Sequence, residues 1–141
     1  MKKIVIAGSR TITDSIFIIK ELDNVLRDDF FHGEEIVIIS GTARGVDTVG
    51  EEYARLRGLE VERYPAEWDN LDVKPCYVKI NQYGKKYNAM AGKNRNKLMA
   101  EKCDAAVIFW DGYSSGTKHM IETIRKLNKK LYLYVGKNRM I

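Results

Sequence analysis

The 141-residue chain is 45% hydrophobic and 30% charged, the composition of one globular domain. Its apolar runs are only about four to six residues long, far below the roughly 20 that cross a bilayer, so no membrane contact is expected. Its two cysteines, Cys76 and Cys103, form neither a disulfide framework nor a zinc-ligand spacing, which leaves a cytoplasmic protein without a structural metal as the expectation.

The first apolar run, Lys3 to Ala7, follows Met1-Lys2-Lys3 and is cut off by Ser9-Arg10, too short for a signal peptide and better read as a strand. Asp14 is placed to cap a helix in which Ile18, Leu22 and Val25 share a face, ending near Phe31-His32-Gly33. Ile36 to Ser40 is a second strand, and Val46, Val49 and Tyr53 mark a second helix closed by Gly58. Leu59 to Tyr64 alternates in polarity, as an edge strand does. The segment from Pro65 to Ala91 then breaks the rhythm. It is long, polar and rich in tyrosine, with a short strand or hairpin arm expected at Tyr77 to Asn81. A third helix is expected from about Lys93 to Lys102, a strand over Ala105 to Trp110, a fourth helix from Thr117 to Asn128 with Met120, Ile124 and Leu127 on one face, and a last strand over Leu131 to Val135. Strands without alternation, joined through helices, predict a Rossmann-like three-layer α/β sandwich. The expected sheet is five-stranded and mainly parallel, ordered 3-2-1-4-5, within one domain spanning residues 1–141, with an inserted loop or hairpin at about 69–88.

The net charge is +5, and the stretch from Asp69 to Cys103, with eight basic residues against three acids, carries an excess of that same size. A local basic field attracts anions, either a phosphorylated small molecule or nucleic acid. The alternative for any single lysine is an ordinary solvated surface.

In open α/β sheets ligands bind beyond the carboxyl ends of the strands. Three of these ends carry small-residue turns that open onto helices: Gly8-Ser9-Arg10-Thr11, Gly41-Thr42-Ala43-Arg44-Gly45-Val46-Asp47, and Asp111-Gly112-Tyr113-Ser114-Ser115-Gly116-Thr117. Glycine admits close approach of backbone amides, and a helix N-terminus adds partial positive charge, so each turn is a phosphate-cradle candidate. Each alone is also explained as a tight turn; three on one rim are not. The G-x-G-x-x-G and G-K-[ST] fingerprints are both missing, which disfavours an NAD enzyme or a P-loop ATPase, and no cofactor is expected.

Arg44 is read as a phosphate clamp, its alternative being a salt bridge to Asp47 or Glu51. Asp47 fits a helix cap better than a ribose ligand, Asp111 fits a ribose ligand or a brace for Arg10, and His119 fits a phosphate contact or a plain surface residue. Trp68 is a base-pocket wall or a packing anchor.

These turns, together with Pro65-Ala66-Glu67-Trp68 and Ala91-Gly92-Lys93-Asn94-Arg95-Asn96 with Met99, resemble the SLOG superfamily, which includes the DNA-processing protein DprA (Smf) and the Lonely Guy enzymes, and within it the small YspA-like branch. The resemblance implies a Rossmann-like fold, homo-oligomers, and binding of nucleotides or derivatives such as ADP-ribose-like or phosphoribosyl molecules, and it adds Asn94, Arg95 and Asn96 to the ligand-facing residues. The resemblance points to a sensor, carrier or sequestering protein, and extends by family analogy to bacterial or phage immune signalling. Lonely Guy enzymes hydrolyse nucleoside 5′-monophosphates with an Arg and a Glu placed three residues after the loop threonine. Counted from Thr117 that position is Met120, which neither activates water nor stabilises an oxocarbenium-like centre. The alternative reading, a phosphoribohydrolase, would use Arg95 with Glu67 or Glu122. A second alternative is DprA-like nucleic-acid binding through the basic stretch. Against the YspA-like pattern, about twenty extra residues separate Trp68 from the Ala-Gly stretch, as a lid or an oligomer contact.

Overall fold

The computed structural model describes residues 1–141. Strand β1 (Lys2–Gly8) leads into helix α1 (Ser15–Val25), a short 3-10 turn (Asp29–Phe31), β2 (Ile36–Ser40), α2 (Val46–Arg57) and β3 (Glu60–Arg63). A hairpin, β4 (Val78–Ile80) and β5 (Lys86–Asn88), precedes α3 (Ala91–Lys102), β6 (Ala105–Trp110), α4 (Ser115–Lys126), β7 (Lys130–Val135) and β8 (Asn138–Arg139).

The main sheet runs β3-β2-β1-β6-β7-β8, parallel except for the last pair. In order of appearance, its parallel strands follow the expected 3-2-1-4-5 arrangement. The sixth strand, β8, is a correction to the five expected. It is a two-residue return after Gly136 (φ 59°) and carries no apolar run that would announce it.

Alternate side chains of each central strand enter opposite clusters. Ile4, Ile6, Ile38, Val107 and Phe109 pack under α1 and α2, whereas Val5, Ala7, Ile39, Ala106 and Ile108 pack under α3 and α4. Both faces are therefore covered, which is why these strands read as continuous apolar runs. Asp14 caps α1 by accepting from the Phe17 amide at 3.1 Å. That helix stops at Val25 rather than near Phe31, because Arg27 and Asp28 turn the chain and Asp28 starts the 3-10 turn. Gly58 (φ 68°) closes α2 in the left-handed conformation. Leu127 is a further correction: it lies past the end of α4 and is exposed, so only Met120, Ile121 and Ile124 enter the core.

The order reversal falls between β1 and β6, from which the chain winds outward in opposite directions. The carboxyl ends of these two strands are the topological switch point, where this fold class holds ligands. No helix is long and apolar enough to cross a membrane.

Candidate functional site

The three glycine-bearing turns meet at that rim. Gly45 (φ 84°) backs the second turn onto the first so closely that a β-carbon there would stand 3.1 Å from the Ser9 carbonyl oxygen and 3.2 Å from the Arg10 Cα. The first and third turns are joined by polar contacts. The Asp111 amide donates to Ser9 Oγ at 3.0 Å, and Thr11 Oγ1 donates to Asp111 Oδ2 at 2.8 Å. Helix α3 closes the circuit from the side. Arg95 Nη1 donates to the Gly41 carbonyl at 2.5 Å, Arg95 Nε donates to Asn96 Oδ1 at 3.1 Å, and Asn96 Nδ2 donates to the Gly116 carbonyl at 3.3 Å. The ring encloses a cleft of about 350 Å³.

Its charged lining is two arginines and two aspartates. Arg10 and Arg95 both line the cleft and neither has a carboxylate within ion-pair distance. Burial weakens the hold of the Arg95 guanidinium on its proton, the Asp47 carboxylate opposes that shift, and the Arg10 charge adds to it. Two cations that repel each other across a shared space are stabilised together when an anion enters. Three cleft residues, Arg10, Thr11 and Gly116, also have backbone amides with no acceptor in the protein. The Gly116 amide belongs to the first turn of α4, where unpaired donors and the helix dipole coincide.

Two carboxyl groups share the cleft and differ sharply. Asp111 accepts from the Ser114 and Tyr113 amides and from the Thr11 hydroxyl, which together hold its carboxyl down at about 2. It is a permanent anion engaged in shaping its turn. Asp47 is only 4% exposed, and burial pushes its carboxyl up to about 6, against the Ala43 amide (3.2 Å) and the Arg95 charge, which favour ionisation. Burial prevails because one amide and an unpaired, more distant guanidinium do not replace the lost water.

The family model described as "YspA, cpYpsA-related SLOG family" matches residues 2–70, the stretch that carries the first two turns and Trp68. Over that stretch, just under half of its length, the chain is similar to the SLOG superfamily. The X-ray structure of DNA processing protein A (DprA) from Streptococcus pneumoniae superimposes with a TM-score of 0.63 at 18% identity, over 94% of this chain and 49% of that one. The chain thus spans about half the length of that solved protein, and the likeness is one of fold. No curated protein sequence matches at a significant level.

The cleft gathers Gly8, Arg10, Ala43, Asp47, Trp68, Arg95, Asn96, Asp111, Ser114, Gly116 and Thr117 from the residues singled out in the sequence. Ser9 stands behind the wall, 1% exposed, tying Asp111 to Thr117. Gly41 is likewise covered: a β-carbon there would meet Asp47 Oδ2 at 2.8 Å and Arg95 Nη1 at 2.9 Å. Thr42, Gly112 and Ser115 lie exposed on the outer side of their turns, away from the cleft lining.

Arg44 is exposed, lines no part of the cleft, and forms neither of the salt bridges considered for it. Asp47 is occupied by Ala43, while Glu51 holds Arg63 at 2.7 Å and accepts from Ser40 Oγ at 2.7 Å. The guanidinium beside this turn that does line the cleft is that of Arg95, which reaches in from another helix. Asp47 does not cap α2, whose N-cap is Gly45; it reaches back and braces the turn. His119 faces a separate groove between α3 and α4, beside Lys93, Lys97 and Lys126. Its Nδ1 lies 3.2 Å from Asn96 Nδ2, and burial and the Lys93 charge lower its proton affinity. Asn94 points to the insertion and donates to the Pro75 carbonyl at 2.9 Å.

Four cleft residues escaped the sequence reading as ligand contacts: Ala7, Thr11, Met99 and Met120. Thr11 closes the first turn, and its hydroxyl was a usable signal. Met120 lines the cleft 1% exposed, with a thioether where Lonely Guy enzymes carry the glutamate. Glu67 lines a neighbouring cavity instead, and Glu122 is exposed and lines neither.

Proposed function

We propose that this protein binds a nucleotide or nucleotide-derived small molecule, holding its phosphate and sugar in the cleft at the β1–β6 switch point. The observation that carries the reading is the pair of unpaired guanidinium groups, Arg10 and Arg95, facing a space whose rim also offers the free amides of Arg10, Thr11 and Gly116. A phosphate accepts from several amides and from a guanidinium at once, and it relieves the repulsion between the two arginines. Asp47, buried and adjacent to Arg95, is the acceptor suited to a ribose hydroxyl. Phosphoribosyl and ADP-ribose-like molecules both have this chemistry. A role as sensor, carrier or sequestering protein follows from binding without turnover. Native mass spectrometry of protein purified from cells tests the reading: a mass increment of nucleotide size is expected, and it is lost on Arg95→Ala. A bare protein that also ignores added AMP contradicts it.

Hydrolysis is the second reading, and one observation favours it. Asp47 lies in the same cleft as Arg95, so a carboxyl group is present beside the sugar position although Met120 replaces the expected glutamate. Release of ribose 5-phosphate from AMP, abolished by Asp47→Asn, would establish that reading over simple binding.

A further inference from the structure

The groove between α3 and α4 has a volume of about 610 Å³ and shares no lining residue with the switch-point cleft. Its charged lining is of one sign: Lys93 and Lys97 from α3 and Lys126 from α4, with His119 beside them and no carboxylate. Lys3, Lys85 and Lys137 each reach a carboxylate on the surface, whereas these three lysines form no ion pair and donate no side-chain hydrogen bond. Lys93 and Lys97 stand four residues apart on one helix, a spacing at which like charges repel. The Glu122 carboxylate, which favours the charged form of His119, is exposed and lies outside the groove lining.

His119 adds a donor whose identity the neighbouring amide fixes. Asn96 Oδ1 accepts from Arg95 Nε at 3.1 Å, which can only donate, and Asn96 Nδ2 donates to the Gly116 carbonyl at 3.3 Å, which can only accept. The Asn96 atom 3.2 Å from His119 Nδ1 is therefore a donor, so Nδ1 accepts and the proton of the neutral ring sits on Nε2. That N–H finds no acceptor within the protein, and its ring lines the groove.

We infer that the α3–α4 groove is a second anion site, separate from the cleft, and that it takes a diphosphate group. Lysine ammonium groups are compact point charges with three donors each, suited to the tetrahedrally arranged oxygens of phosphoryl groups. Three of them exceed the charge of one phosphate group and match two joined ones. The oxygens accept from Lys93, Lys97, Lys126 and His119 Nε2, and the anion relieves the repulsion along α3.

The chain has two histidines, so imidazole NMR reads this groove alone, with the exposed His32 as an internal reference. Pyrophosphate is titrated into the protein at about pH 8, where an ordinary imidazole is neutral. A saturable shift of the His119 ring signals is expected while those of His32 stay in place. Lys93→Gln/Lys126→Gln, which alters two exposed and unbonded side chains, should weaken the affinity read at His119 at least about tenfold. ADP forms the second arm: a comparable shift assigns the site to any diphosphate group, and none assigns it to the free anion, either result supporting the site once pyrophosphate binds. Absence of a saturable shift with pyrophosphate overturns the inference. So does a shift of undiminished affinity in the lysine variant, because it would reach His119 from the cleft through Asn96. A single-stranded oligonucleotide that moves His119 where pyrophosphate does not overturns it as well, making the groove a nucleic-acid surface.

Discussion

The rim of glycine-bearing turns and the inserted segment between Trp68 and Ala91 are both irregular backbone, yet they satisfy their polar groups in opposite ways. The insertion is closed upon itself. Asn88, fully buried, accepts from the Tyr77 and Met90 amides at 3.2 and 2.9 Å and donates to the Asn70 and Val73 carbonyls at 3.4 Å, while its own amide donates to the Trp68 carbonyl at 2.7 Å. The rim holds its shape through Asp111, Ser9 and Asn96, but leaves the amides of Arg10, Thr11 and Gly116 and the charges of Arg10 and Arg95 unanswered. The insertion is held by one buried hub, whereas the rim leaves several donors facing a cavity. The insertion, read from sequence as a lid or an oligomer contact, is braced by Asn88, whose amide holds the Trp68 carbonyl, and Trp68 stands over Gly92.

Breaking the brace should have the largest effect. Asn88→Ala strands two amides and two carbonyls beneath the hairpin and should destabilise the protein by about 2–4 kcal/mol, with protease cleavage concentrated between residues 69 and 90. Cleavage at the rim instead would mean that the insertion does not depend on this residue.

Asp47 sharpens the other side of the comparison. Its carboxyl titrates near 6 in the folded chain, above its unfolded value, so the native state binds the extra proton between about pH 4 and 6. This group's contribution to stability therefore falls as the pH rises through that window, and the full penalty is present at neutral pH. Asp47→Asn keeps an acceptor for the Ala43 amide and should stabilise the unliganded protein by about 1–3 kcal/mol at pH 7–8, with little gain below pH 4. Denaturant unfolding at both pH values measures this. A loss of stability at pH 8 would show that the carboxylate is better solvated than its burial implies.

Thr42 tests strain at the rim. It is a β-branched residue at φ 63°, in the left-handed region that glycine occupies most easily. Thr42→Gly should stabilise by about 0.5–1 kcal/mol in thermal unfolding, and no gain would mean that the turn relaxes around the threonine. The smallest effect is expected at the tip of the insertion. Ile80, 65% exposed on β4, should accept Lys within about 0.5 kcal/mol.

Much of this was legible in the sequence. Runs such as Ile36 to Ser40 and Ala105 to Trp110 encode strands covered on both faces, and the small-residue turns after them mark the rim, because both signals are local. The errors concern residues whose role depends on distant partners. Arg44 has the right neighbours in sequence, but the chain bends its side chain out, and Arg95, fifty residues on, takes the inner position through the Gly41 carbonyl. Asp111, read as a ribose ligand or a brace for Arg10, is engaged by the amides two and three residues later and by the Thr11 hydroxyl. His119 follows the third turn directly, but the helical rotation of α4 carries it round to the opposite groove. Asn88 gave no signal at all, since one asparagine in a polar segment says nothing about four partners.

The central claim is that Arg10 and Arg95 together hold a phosphate at the β1–β6 rim. Titration calorimetry of ribose 5-phosphate into the unaltered protein and into the Arg10→Ala/Arg95→Ala double variant addresses it most directly. Binding to the former, weakened at least about a hundredfold in the latter, is the predicted result. Equal binding to both proteins would contradict the account.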